Sequence, residues 1–277
     1  MPVSARNLIR KMRGGAQSHL LACEDGEYYV VKFTNNPQHR RILVNEWLAN
    51  SFLRYLQIHV PQTALIRVSE EFLAKNPEVY FTVGSRRERI VPGIHFGSRM
   101  SVNPDKVAIF DFLPEKLLDK VENRVEFLGA LVFDKWVGNS DSRQAVFFRA
   151  RAKTWTPLKG DAPAKVGFFA QMIDHGYAFN GPHWEFNDTP LNGLYFRTSV
   201  YQGVTSLDSF QPWLDMVTNF PIEAIDSAWK EIPREWLDQD EDALEKLLET
   251  LLKRRGRVVQ LIEDVHRKRA SAFPNWR

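Results

Sequence analysis

Apolar positions in the first sixty residues change period once. Leu20–Cys23 is apolar, "YYVVKF" is aromatic and β-branched, and the polar "EDGE" divides them. Such runs favour strands around a Gly-containing turn, so the pattern predicts a β-hairpin. Through "HRRILVNEWLANSFLRYLQI" the apolar residues Leu43, Trp47, Phe52 and Leu56 recur at near-helical spacing, and Pro61 stops the helix. "VPQTALIRVS" predicts another strand. "VYFTVGS" and "GIHFGS" predict two more, separated by "RRER", which reads as a charged turn. The order describes a small sheet carrying one helix.

The texture changes from Pro104. "FLPEKLLDKV" and "RVEFLGALVFDKWVGN" have helical period, with Leu128, Leu131, Val132 and Trp136 on one apolar face. "AVFFRA" and "KVGFFAQMID" predict two strands of a long hairpin around the turn-like "TWTPLKGDAP". A Gly-, Pro- and Asn-bearing loop follows "MIDHGYAFN" as far as Asn192. The last third is helical in "SLDSFQPWLDMV", "IEAIDSAWKEI" and "EDALEKLLETLLKRRGRVVQLIEDVHRKR". Leu244, Leu248, Leu251, Val258, Ile262 and Val265 build a stripe that Gly256 weakens in the middle. The fold class expected is α+β.

Composition narrows the reading without supplying a function. A chain of 277 residues that is 44% hydrophobic and 26% charged can bury a large core. The net charge of +3 is too small to argue for nucleic acid or a membrane. A single cysteine, Cys23, excludes an intrachain disulfide and suits a reducing compartment. No apolar run reaches membrane-span length, and the N-terminus lacks a secretory signal core, so the cytoplasm is the expected location.

Four charged residues then stand out by order. Lys32 ends the hairpin's second strand, and Glu46 lies on the helix that follows. Asp141, in "WVGNSDSRQAVF", sits between a helix and a strand, and Asp174 ends the later hairpin. Each alone has an ordinary explanation: a snorkelling strand lysine, a solvated helix glutamate, a turn aspartate. Together they suit phosphoryl transfer. A strand lysine holds nucleotide phosphates and a helix glutamate orients it. One aspartate positions an acceptor hydroxyl and another binds Mg²⁺. Upstream, Gly14 and Gly15 allow close backbone approach to phosphate, although no GxGxxG or GxxxxGK[ST] loop is present.

"GAQSHLL", "YYVVKF", "NEWLANSFLRYLQIHVP", "FDKWVGNSD" and "IDHGYAF" together resemble the HipA-like kinases, bacterial serine/threonine kinases of the protein-kinase-like superfamily. "IDHGYAF" is also similar to the metal-binding segment of phosphatidylinositol 4-kinases. The resemblance runs from about Gly14 to Phe179. It implies a two-lobed fold, with a small β-rich lobe over residues 1–100, a larger helical lobe over 101–277, and ATP in the cleft. It further implies that Lys32 contacts ATP, Glu46 pairs with Lys32, Asp141 is catalytic and Asp174 is the main Mg²⁺ ligand. Gly14, Gly15, Ala16, Gln17 and Ser18 would be the phosphate loop, which in family members can carry an autophosphorylated Ser. Two departures matter. Val146 stands where the family has a second metal-binding Asn, and Gln144, the nearest amide after Asp141, is the candidate to supply that metal ligand instead. Longer HipA proteins also carry an N-terminal subdomain, whereas 13 residues precede Gly14 here, so a toxin role is not carried over.

The reading is therefore an ATP- and Mg²⁺-dependent kinase, with Mn²⁺ as the other candidate metal, acting on a hydroxyl, foremost a protein Ser/Thr. A lipid or small-molecule kinase and a non-catalytic nucleotide-binding protein are the alternatives. A nucleic-acid module built on Arg254–Arg257 and His266–Arg269 would explain only the tail.

Overall fold

The computed structural model describes residues 1–151 and 166–277. "TWTPLKGDAP" lies outside the described residues. The predicted first hairpin forms as β2 (His19–Cys23) and β3 (Tyr28–Lys32), paired antiparallel with Leu21 opposite Tyr29. The sheet around it is larger than the pattern predicts. An N-terminal strand β1 (Val3–Lys11) pairs with β2 and, in parallel, with β4 (Thr63–Val68). With β7 (Gly93–Arg99) these strands close into a five-stranded barrel in the order β1-β2-β3-β7-β4. Closure leaves no free edge, and Leu21, Val31, Phe33 and Ile66 share a core with Phe81, which lies outside the barrel.

"RRER" is not a turn. Arg86–Arg89 is strand β6, paired antiparallel with β5 (Tyr80–Val83), and the turn is at Gly84, where φ is +60°. All four residues are exposed, so cross-strand pairing rather than burial selects this strand. A second helix, α2 (Glu70–Lys75), also departs from the one-helix expectation. Ser69 caps it, its side chain accepting from Phe72 N.

Helix α1 (Arg41–Tyr55) is buried on nearly every side from Ile42 to Asn50, and Phe52 and Leu53 follow. Leu43, Val44, Trp47, Leu48, Ala49, Phe52 and Leu53 belong to the larger core, not the barrel's. That core is centred on α4 (Glu126–Val137), every residue of which is buried. Between them, "FLPEKLLDKV" supplies only the one-turn α3 (Glu115–Leu118). A three-stranded sheet of β8 (Ile109–Phe110), β9 (Gln144–Arg151) and β10 (Val166–Ile173) lies in the order β10-β9-β8.

The C-terminal third is helical, as its period predicts, but in shorter pieces. "SLDSFQPWLDMV" divides into a 3-10 turn (Leu207–Phe210) and α5 (Trp213–Thr218), with Pro212 between them. Next come α6 (Ile222–Lys230) and α7 (Arg234–Leu237). The last amphipathic stretch breaks into α8 (Glu241–Arg254) and α9 (Val258–Lys268) around a 3-10 turn at Arg255–Arg257, where Gly256 sits. Among the described residues no helix is long and apolar enough to cross a membrane. Cys23 is buried, and burial pushes its thiol up to about 12.

Candidate active site

Lys32 closes β3 and points between two carboxylates. Its ammonium bonds Glu46 Oε1 of α1 and, at 2.8 Å, Asp174 Oδ1 just past β10. Burial alone would lower the lysine's pKa. Asp174 and Glu46 outweigh it, and Lys32 stays charged with its pKa raised. Lys32 in turn holds the Asp174 carboxyl below its usual range, while burial pushes Glu46 up. Glu46 also accepts the His175 backbone N–H at 3.0 Å. The Lys32–Glu46 pair predicted from sequence order is therefore present, and Asp174 joins it across 142 residues.

Asp141 is delivered by "GNSD" through local chemistry. Gly138 ends α4 in the left-handed conformation (φ 60°, ψ 46°), which a residue with a Cβ adopts only at a cost. Asn139 then accepts the Asp141 N–H at 3.1 Å through its side chain, while its own amide nitrogen donates to Asp134 Oδ1 at 2.9 Å. Asp141 itself is exposed. Its backbone oxygen accepts from Gly193 N at 2.8 Å, and Ser140 N donates to Tyr177 O at 3.0 Å. These contacts bring the Asp141 turn against the segment that follows Asp174.

The β9–β10 register places Gln144 and Val146 differently with respect to Asp174. Gln144 pairs with Ile173, immediately before Asp174, whereas Val146 pairs with Gln171. Two strand residues span about 7 Å, so Val146 is the farther of the two from Asp174. The Gln144 amide lies 3.5 Å from Asp141 Oδ2. Gln144 thus approaches Asp141 with its side chain and pairs with the residue that precedes Asp174.

The Gly14–Ser18 segment is a turn, with φ of +115° at Gly14 and +46° at Gln17. Not every N–H expected to face phosphate is free, because Gln17 N donates to Gly14 O at 3.1 Å. The Gln17 side chain grips Thr82 of β5, donating to its oxygen and accepting from its nitrogen, each at 2.7 Å. Ala16 and Ser18 are buried. Ser18, 7% exposed, is not accessible for modification in this arrangement. The turn reaches the site through Gln38. A Cβ on Gly15 would lie 2.6 Å from Gln38 Nε2, which donates to Tyr177 Oη at 3.2 Å.

Behind these groups runs a buried network that sequence reasoning missed. Arg143 grips Asp134 of α4 through Nε at 2.8 Å and through Nη2. Its Nη1 donates to His175 Nδ1 at 2.8 Å. Burial and the neighbouring guanidinium keep His175 neutral, with its pKa well below the ordinary value. Nδ1 accepts, so the ring proton sits on Nε2. An aspartate inside the apolar run of α4 was the available signal. Gly176 has a packing reason, since a Cβ there would meet Ile42 Cγ2 at 2.7 Å.

The basic tail does other work than sequence suggested. Arg254 is buried, donates to the carbonyls of Trp136 and Lys135, and pairs with Asp188 at 2.6 Å. Arg255 donates to Leu252 O and Phe220 O, and His266 stacks on Trp276. Arg254, Arg255 and His266 are thus engaged within the fold, whereas Arg257, Arg267, Lys268 and Arg269 remain exposed.

A lysine held by a helix glutamate, with aspartates at adjoining loop ends, is an arrangement that a kinase can use. The chain belongs to the HipA-like kinase family, whose model matches residues 6–263. No curated protein matches the sequence. The Golgi casein kinase with Mn/ADP bound is similar in structure, with TM-score 0.51 and 13% identity over 98% of this chain and 74% of that one. Hydra Fam20 with sugar is similar at TM-score 0.51 and 11% identity, over 96% and 85% of the two chains. The Helicobacter pylori proinflammatory kinase CtkA is similar at TM-score 0.50 and 13% identity, over 98% of both. At these identities the likeness is one of fold.

Proposed function

We propose that this protein is an ATP- and Mg²⁺-dependent kinase that transfers the γ-phosphoryl group to a hydroxyl, foremost a serine or threonine of a protein. The observation that carries the reading is Lys32 held between Glu46 and Asp174, with Asp141 and Gln144 at the adjoining loop. Residues 1–100 then form the nucleotide lobe and residues 101–277 the acceptor lobe, with ATP between them.

The donor set fits a divalent cation. Two carboxylates face one ammonium, which leaves a negative excess, and the Asp174 side chain is 40% exposed. Among the described residues no three His, Cys, Asp or Glu could hold a metal alone. That suits Mg²⁺, which takes one or two protein ligands and completes its shell with phosphates and water. Asp174 and Gln144 would hold it. When bound, it would neutralise phosphate charge. The Golgi casein kinase structure, with Mn and ADP, supports use of a nucleotide and a divalent metal.

The chain's own groups take the remaining roles. Lys32 holds nucleotide phosphate oxygens, with Glu46 keeping its ammonium in place. The Gly14–Ser18 turn covers the phosphates. Asp141 orients the acceptor hydroxyl and accepts its proton as the acceptor oxygen bonds to Pγ and the bond from Pγ to the β–γ bridging oxygen breaks. The pairing of Gln144 with Ile173, next to Asp174, supports the catalytic reading over the non-catalytic one. The test is phosphoryl transfer by the wild type and Asp141→Asn, with nucleotide binding measured alongside. Loss of transfer with binding retained is expected. Full transfer by the variant removes Asp141 from the chemistry.

A further inference from the structure

A hollow of about 630 Å³ lies beside the Asp141 turn, between the segment after Asp174 and α8. Its lining includes Arg41, Lys246, Lys253, Arg254 and Arg257, against the carboxylates of Glu185 and Asp188. Several of these charges are already engaged. Arg41 makes a two-point pair with Asp240 and stacks on Trp184, and Arg254 and Arg257 share Asp188. Lys246 and Lys253 are exposed and have no acidic partner among the described residues. They lie with Thr250 on one face of α8, and all three line the hollow.

The hollow is close to the transfer chemistry. Phe186 lines it, and the Phe186 ring lies 3.1 Å from where a Cβ on Gly138 would stand. Gly138 precedes Asp141 by three residues, which span at most about 11 Å. An extended chain advances about 3.3 Å per residue. A peptide whose hydroxyl sits at Asp141 therefore reaches the hollow with residues three or more positions away.

Resting on the kinase reading above, we propose that this hollow binds an acidic segment of the protein acceptor, with Lys246 and Lys253 each taking a carboxylate. The spacing sets a pattern. Seven helical residues separate the two lysines by about 10.5 Å along α8. In a peptide with polyproline II geometry, residues three apart share one face and lie about 9 Å apart, which matches that separation. The acceptor class is thus a serine or threonine with Asp/Glu-x-x-Asp/Glu at least three positions away. Nucleic acid fits less well, because Glu185 and Asp188 interrupt the cationic lining that a continuous phosphate backbone would follow.

The test is fluorescence anisotropy with labelled peptides carrying a Ser/Thr and an acidic pair on either side of it. Control peptides carry Asn/Gln in place of the acids. The full chain should bind one acidic peptide about ten-fold tighter than its amide control. K246E/K253E should lose that preference while its ATP affinity stays unchanged, and K246Q/K253Q should lose part of it. Equal binding of acidic and amide peptides overturns the proposal. So does an unchanged preference in K246E/K253E, or displacement of the peptide by an RNA oligomer of equal charge at lower concentration. Phosphoryl transfer to the same peptides is read separately. Acidic preference in binding without transfer supports the groove and counts against the kinase reading. Transfer that ignores the acids counts against the groove alone.

Discussion

Gln144 pairs with Ile173 across the β9–β10 ladder, and its amide lies 3.5 Å from the Asp141 carboxylate. The register therefore puts Gln144, with its amide near Asp141, opposite the residue before Asp174, where linear counting from Asp141 finds Val146 two residues further along. Gln144→Ala should weaken metal-dependent transfer about ten-fold or more and raise the metal concentration required. Val146→Asn in that background should restore nothing, because position 146 faces Gln171. Titrations of activity with Mg²⁺ and Mn²⁺ in the three proteins check this. Rescue by Val146→Asn would falsify the register argument.

Lys32→Ala should damage the fold as well as nucleotide binding, although a phosphate-contacting lysine in sequence suggests a purely functional loss. The substitution leaves Glu46, 3% exposed, beside Asp174 without its cation. Breaking a buried pair in this way costs about 3–5 kcal/mol. Adding Glu46→Gln should recover part of the stability and none of the ATP binding. Denaturant midpoints and calorimetry of ATP binding separate the two effects.

Arg143→Met should be among the most destabilising single changes, at about 3–5 kcal/mol, because Asp134 is buried and loses its partner. The loss extends to the site, since Arg143 also fixes the ring of His175, whose backbone N–H holds Glu46. Asp134→Asn alone should be milder, keeping a hydrogen-bond acceptor for the guanidinium. Chemical denaturation of both variants is the measurement.

Stability should fall as pH drops from about 6.5 toward 4. Burial lowers the pKa of His19 and of His95 to about 4, and that of His175 well below its ordinary value. Between the unfolded value near 6.5 and these folded values the unfolded chain binds more protons. Unfolding free energy therefore rises with pH across this window, by up to about 1.4 kcal/mol per pH unit for each histidine. The effect is absent above the unfolded value. His95→Gln should flatten the slope. His95 accepts from Thr34 N and faces Val91 O, both at 3.1 Å, and an amide can serve both. Thermal unfolding from pH 4 to 8 follows it, and an unchanged slope in the variant would remove His95 from the account.

Gly176→Ala should lower activity more than its size suggests. The added carbon would meet Ile42 Cγ2 at 2.7 Å, on the helix that carries Glu46. Ile42 is fully buried and its branched side chain has little room to yield. Overpacking of this kind costs about 1–3 kcal/mol. Moving α1 away from Asp174 should raise KM for ATP, measured by steady-state kinetics beside thermal stability.

Local pattern carried much of this protein. Strand composition around the "EDGE" turn was enough for β2 and β3, and helical spacing was enough for α1. Lys32, Glu46, Asp141 and Asp174 were legible by their order, since each lies at an element end or on a helix that local periodicity delimits. "GNSD" was legible as a turn because Gly138 and Asn139 act within a few residues of themselves. Other features depended on partners far away in the chain. Arg86–Arg89 becomes a strand because Tyr80–Val83 lies beside it, not because its own residues favour burial. β1 is a strand because β2 and β4 offer it two edges. Gln144 was legible as the nearest amide after Asp141, but only the ladder with β10 shows that it pairs with the residue before Asp174 while Val146 pairs with Gln171. Local pattern singles out none of Arg143, Asp134 and His175, which folding buries together. Sequence determines what a segment can form by itself, through periodicity and turn chemistry. Tertiary structure decides which side chains lose water together, and that shared desolvation sets their pairing and their charge.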